Sequence, residues 1–110
     1  MEEGKQLWEI LVPAESNEGL EYSIGHHHEW DAHVRAISGG LTILKSAKGQ
    51  WVDETGQLYK DKVIPVRIAC TEPQIDRIMA YTIRHYGQKA VMAYLISEKV
   101  KTIRKEELKE

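Results

Sequence analysis

His26, His27, His28 and His33 place four of the chain's five histidines within eight residues, with Glu29 and Asp31 among them. Imidazoles and carboxylates at that density are the donors of a transition-metal site or of acid–base catalysis. Spacing decides how much of this a single helix could assemble. The string His28-Glu29-Trp30-Asp31-Ala32-His33 resembles the zinc-protease motif HExxH, but its two histidines stand five positions apart where the motif needs four. At about 100° per residue, the second histidine turns roughly 140° away from the first. The metalloprotease arrangement therefore fails on geometry. His27 and Asp31 share a helix face, as do Glu29 and His33, and His26 and His33 lie seven apart on nearly one face. Any of these pairs would need a further ligand from elsewhere, so the expectation is a polar helix start with no bound metal and no cofactor. His85, beside Tyr86 on a second helix, is expected to be a neutral, hydrogen-bonded histidine.

Other catalytic chemistries find little footing. The stretch GGLTILKSAKG lacks the spacing of a phosphate-binding loop, and no serine lies in a nucleophile elbow. Cys70 is the only cysteine, which excludes internal disulfides, four-cysteine zinc sites and CxxC redox motifs, and it suits a reducing cytoplasm. Ending an apolar run just before a helix, it reads as a small core residue, although a helix N-terminus can also activate a thiol. No catalytic residue is assigned.

The elements that would carry these side chains follow from periodicity and punctuation. Residues 7–12, LWEILV, are rich in β-formers and stop at Pro13, which predicts a strand. Over 24–38 the positions of Trp30, Val34 and Ile37 recur at helical spacing, and Gly39-Gly40 ends the pattern. The runs LTILKSA and KVIPVRIA, on either side of a turn at Gly56, predict a long hairpin with a local distortion at Pro65, which cannot donate to a ladder. Thr71 and Gln74 form a capping box around Pro73, opening a helix whose stripe of Ile75, Ile78, Met79, Thr82, Ile83 and Tyr86 ends at Gly87. AVMAYLIS, residues 90–97, predicts the last strand. The order βαββαβ, with right-handed crossovers, gives an α+β ferredoxin-like sandwich: a four-stranded antiparallel sheet with two helices on one face. Residues 1–97 form this domain, and 98–110 a charged C-terminal tail or frayed helix of mixed sign.

With 110 residues, 42% hydrophobic and 29% charged, the chain has the size and balance of one globular domain. A net charge of −2 offers no general attraction to nucleic acid, and no apolar run is long enough to span a membrane. The acidic start MEEGKQLWEI does not read as a signal peptide. Both alternating sets of the last strand are apolar, and the first strand sets Leu7 and Leu11 opposite Trp8, Ile10 and Val12. A two-layer domain covers one sheet face only, so a homodimer through the open face is expected.

The hairpin region carries a family resemblance. Gly40-Leu41-Thr42-Ile43, Gly49-Gln50-Trp51 and Gly56-Gln57-Leu58 resemble the GLTV, GQW and G-x-L segments at similar spacing in certain small uncharacterised bacterial and phage proteins. The likeness covers residues 39–90 and departs at Lys60-Asp61-Lys62, where those proteins often carry a glutamate. It implies the ferredoxin-like fold and brings no catalytic residues with it.

Trp51 is a large flat surface with Lys45, Lys48 and Gln50 around it, a combination that holds planar anions by stacking and charge. It equally suits a tryptophan packed across its own hairpin. The sequence thus points to a non-enzymatic dimeric module that binds or sequesters a small nucleotide-like anion. In it Trp51 and Trp30 would stack, Lys48 and Arg84 would meet charge, and His33 would donate a hydrogen bond. The alternatives are a small dimeric α+β barrel enzyme of oxygenase or isomerase type and a phage-type inhibitor that binds another protein.

Overall fold

Two helices are fixed by their ends. In the computed structural model, which describes residues 4–109, the Ser23 hydroxyl accepts from the His26 N–H and opens α1, Ile24–Ser38, which closes at Gly39 with φ of 90°. Both halves of the expected capping box form at Thr71 and Gln74, opening α2, Glu72–Tyr86, and Gly87 ends it with φ of 61°. A left-handed residue without a Cβ lets each helix satisfy its last carbonyls at little cost. The helices run antiparallel: His26 meets His85, Trp30 meets Thr82, and the Ile37 carbonyl accepts from Gln74.

The strands are β1 (Gln6–Pro13), β2 (Thr42–Ile43), β3 (Ala47–Val52), β4 (Leu58–Cys70) and β5 (Ala93–Ser97). All pairings are antiparallel, in the order β2-β4-β1-β5, with β3 also on β4. Because β2 and β3 follow one another along the same edge of β4, the topology is the expected ferredoxin-like sandwich. Ile10, Val12, Val66, Ile68 and Cys70 point from β1 and β4 into the core, where Trp30, Val34, Ile75, Ile78 and Tyr86 cover them.

The hairpin differs from the sequence expectation in an instructive way. Residues 41–47 do not form one strand: pairing lapses after Ile43 and resumes at Ala47. Pro65 lies opposite the lapse. On its β1 side it faces Leu11, whose N–H turns away to the Met92 carbonyl. Its ring nitrogen therefore falls on the edge where a donor would have been needed, and no donor exists there. The Pro65 carbonyl is still used, by the Leu44 N–H at 2.9 Å. Beyond this break β3 and β4 continue as a two-stranded arm to the turn at Gly56, with φ of 87°, and most of its side chains between 47 and 62 are exposed. The last strand begins at Ala93 rather than Ala90, and in the charged tail one short 3-10 turn forms, Lys105–Glu107.

Candidate functional site

Where α1 begins and α2 ends, their aromatic side chains form one continuous stack. His33 lies on Tyr81 at 3.7 Å between centroids, Tyr81 on His85 at 5.2 Å, His85 on His26 at 3.8 Å and His26 on Tyr22 at 5.3 Å. The two central histidines are tied reciprocally: each Nε2 lies 2.7 Å from the other's backbone carbonyl. A carbonyl only accepts, so a neutral ring at either position carries its proton on Nε2 and leaves Nδ1 as an acceptor. At His85 that atom meets the Tyr81 hydroxyl at 3.2 Å. At His26 it faces the Glu29 carboxylate at 3.7 Å.

His27 turns to the other side of α1. Its Nδ1 lies 2.6 Å from the Tyr86 hydroxyl. Burial pushes the Tyr86 phenol well above its ordinary range, with Asp31 adding to the effect. Burial also lowers His27, against the opposing pull of Asp31. Both groups are therefore uncharged near neutral pH, and with the Tyr86 hydroxyl donating to Nδ1 the neutral His27 keeps Nε2–H as a donor. The pair sits beside a cleft of about 210 Å³ between α1 and the sheet. Val12, Ile64 and Val66 supply an apolar floor and Ile43 a half-exposed lip, with His27 and Asp31 among the polar groups on the α1 side. The sequence offers the His27/Asp31 spacing as a clue to this place. The contributions of β1, β2 and β4 come from strand pairing and carry no local signal.

The five residues expected to line a ligand site do not converge. Trp30 is 1% exposed, donates from Nε1 to Thr82 Oγ1 at 2.9 Å and gives only an edge to the cleft wall. No face of its indole is open for stacking a ligand. Trp51 lies on the arm, where it stacks on Tyr59 across the hairpin at 4.3 Å and donates to Asp61 at 2.8 Å. Asp61 pairs with Gly49, which has no side chain to occupy its carboxylate. Lys48 pairs with Lys62 on the arm. His33 is spent on Tyr81, and Arg84 is exposed on α2. Cys70 is fully buried, and burial pushes its thiol up to about 11, which makes it a core residue and a poor nucleophile.

The open sheet face is mixed where the sequence suggests oily. Glu9, Arg67 and Tyr94 form a polar triad among Leu7, Leu11, Pro65 and Ala69. Arg67 Nε donates to Glu9 at 2.9 Å, and the Tyr94 hydroxyl donates to the other carboxylate oxygen. Glu9 is only 6% exposed although nothing but its neighbours covers it.

No protein-family model matches the chain, and no curated protein does. Solved structures do. A phage SAM lyase in complex with S-methyl-5'-thioadenosine is 14% identical, with a TM-score of 0.67 over 89% of this chain and 84% of that one. CutA1 from Oryza sativa is 11% identical, with a TM-score of 0.64 over 89% and 83%. The divalent cation tolerance protein CutA1 from Thermus thermophilus is 11% identical, with a TM-score of 0.61 over 87% of each chain. At these identities the likeness establishes the α+β fold.

Proposed function

We propose that the protein is a non-enzymatic, self-associating module that binds a small nucleoside-like molecule in the cleft between α1 and the sheet. One observation carries this reading: the cleft joins an apolar floor to a neutral histidine donor, His27, and a carboxylate, Asp31. Apolar walls suit a flat heterocycle, and a donor beside a carboxylate suits sugar hydroxyls. Lys62 continues the same strand face two residues beyond Ile64, with Lys48 as its cross-strand neighbour. An anionic group on the ligand would meet Lys48 there and compete with Glu21, which holds Lys62 at 3.4 Å. Support for the ligand class comes from the phage SAM lyase of the same fold, solved with a thioadenosine bound.

Thermal unfolding with S-methyl-5'-thioadenosine and adenosine tests this. A ligand at a hundred times its Kd stabilises by about 2.7 kcal/mol, so the melting temperature should rise clearly. Ile43→Arg places a charge at the cleft lip and should abolish the rise. The unliganded transition should hardly move, because Ile43 is 52% exposed. If neither nucleoside moves the transition, the reading fails. Consumption of SAM on incubation with the protein would favour the small-enzyme alternative.

Self-association rests on the apolar residues around the Glu9 triad, together with exposed Met92 just before β5, Leu95 and Ile96 on it, and Trp51 and Val52 on the arm. A second copy over the open sheet face would cover Leu7, Leu11 and Tyr94. Light scattering at micromolar concentration should give the mass of more than one chain. A monomeric mass would overturn this part of the proposal and leave the cleft untouched.

A further inference from the structure

The sequence suggests that the paired donors of the histidine run need a further metal ligand from elsewhere. Packing of α2 against α1 supplies it. His26, Glu29 and His85 each bring a donor atom to a common place, all within 4.8 Å of one another. We propose that these three side chains bind one divalent transition-metal ion of the zinc class, through Nδ1 of both histidines and the carboxylate of Glu29.

Two features go beyond proximity. The first is the orientation of the rings. Metal-binding histidines characteristically donate their second ring N–H to a carbonyl or carboxylate, which fixes the tautomer and turns the lone pair to the metal. Both rings do this here, each to the other's backbone at 2.7 Å. This leaves Nδ1 as the free acceptor on each ring: that of His26 faces the Glu29 carboxylate at 3.7 Å, and that of His85 is held by the Tyr81 hydroxyl at 3.2 Å. The second is the ligand set. Two nitrogens and one carboxylate oxygen match zinc and its neighbours, with water completing the shell, whereas calcium and magnesium require mainly oxygen. Glu29 is exposed, so an ion can enter from solvent without opening the core.

Loading has a structural consequence. The imidazole rings are nearly parallel, 12° apart, and a lone pair lies in the plane of its ring. A single ion held by both must tilt them out of the stack and displace the Tyr81 hydroxyl from His85 Nδ1. None of the three residues lines the cleft, whose histidines are His27 and His28.

Zinc titration calorimetry on the full chain, purified without a tag or metal column and treated with chelator, tests the proposal. One zinc ion should bind per chain, and magnesium should give no heat. Glu29→Gln, at an exposed position, should keep the fold and weaken zinc at least about tenfold, the loss usual even for an outer partner of a metal site. His85→Ala should remove the site, with circular dichroism confirming that the helices persist. His28→Ala should leave zinc binding intact. Absence of stoichiometric binding, or binding lost in His28→Ala and retained in Glu29→Gln, would mean that the run of adjacent histidines is at most a loose surface chelator and would overturn the assignment.

Discussion

Replacing Trp30 by alanine should lower the free energy of unfolding by about 3–5 kcal/mol, measured by urea denaturation. Domains of this size have only about 5–15 kcal/mol to lose. The indole is 1% exposed and lies in the core cluster with Ile10, Val34, Val66 and Ile78. Truncating it removes the largest buried side chain and leaves a void that the sheet and α2 cannot both relax into. It also strands part of a polar link. Thr82 Oγ1 accepts from the indole N–H while its own hydroxyl donates to the Ile78 carbonyl at 2.6 Å. Trp30→Phe fills most of the volume and loses only the hydrogen bond, so it should cost about 1 kcal/mol. The contrast between the two variants separates a structural tryptophan from one that stacks a ligand. If Trp30→Ala leaves the urea midpoint unchanged and alters only ligand binding, the packing described here is wrong.

Trp30 also marks where the sequence is readable. Its place on the inner face of α1 follows from helical spacing with Val34, and the ends of both helices follow from Gly39, Thr71, Gln74 and Gly87, whose signals act within a few residues of themselves. That Trp30 points into the core rather than at a ligand depends on Thr82, which is brought to it only by packing. The same limit hides the metal-ligand trio, since His85 is linked to His26 and Glu29 by nothing in the local pattern. The arm is hard to see because 47–52, AKGQWV, has weak strand propensity; it is a strand through its ladder with β4, and propensity yields to pairing in such ribbons. Pro65 reads as a distortion, which it is. Its effect on the partner strand, splitting β2 from β3, becomes visible only with the register in hand.

Glu9 draws no notice in an otherwise apolar first strand, and it should govern how the protein responds to acid. The Tyr94 hydroxyl, above all, holds its carboxyl below the usual carboxylate range. Burial pulls the other way, and the Arg67 guanidinium adds to the lowering. A carboxyl depressed in the folded state is more readily ionised there than in the unfolded chain, where its value is near ~4.3. Its stabilising contribution is thus complete above that value and is lost as pH falls through the lower folded one. The urea midpoint should therefore drop as solutions are acidified below about pH 4.3, and Glu9→Gln should flatten this part of the profile. At neutral pH the same variant gives up charge-assisted bonds to Arg67 and Tyr94, at a cost of about 1–2 kcal/mol once the partial exposure of Arg67 is allowed for. Arg67→Ala should cost a similar amount and only partly flatten the acid loss, because Tyr94 still holds the carboxylate below its ordinary range. An unchanged acid limb in Glu9→Gln would show that the triad is not closed in solution. That result would also bear on assembly, since a second copy laid on this face must bury the triad, and only a neutralised, fully hydrogen-bonded set of charges can be covered without a large desolvation penalty.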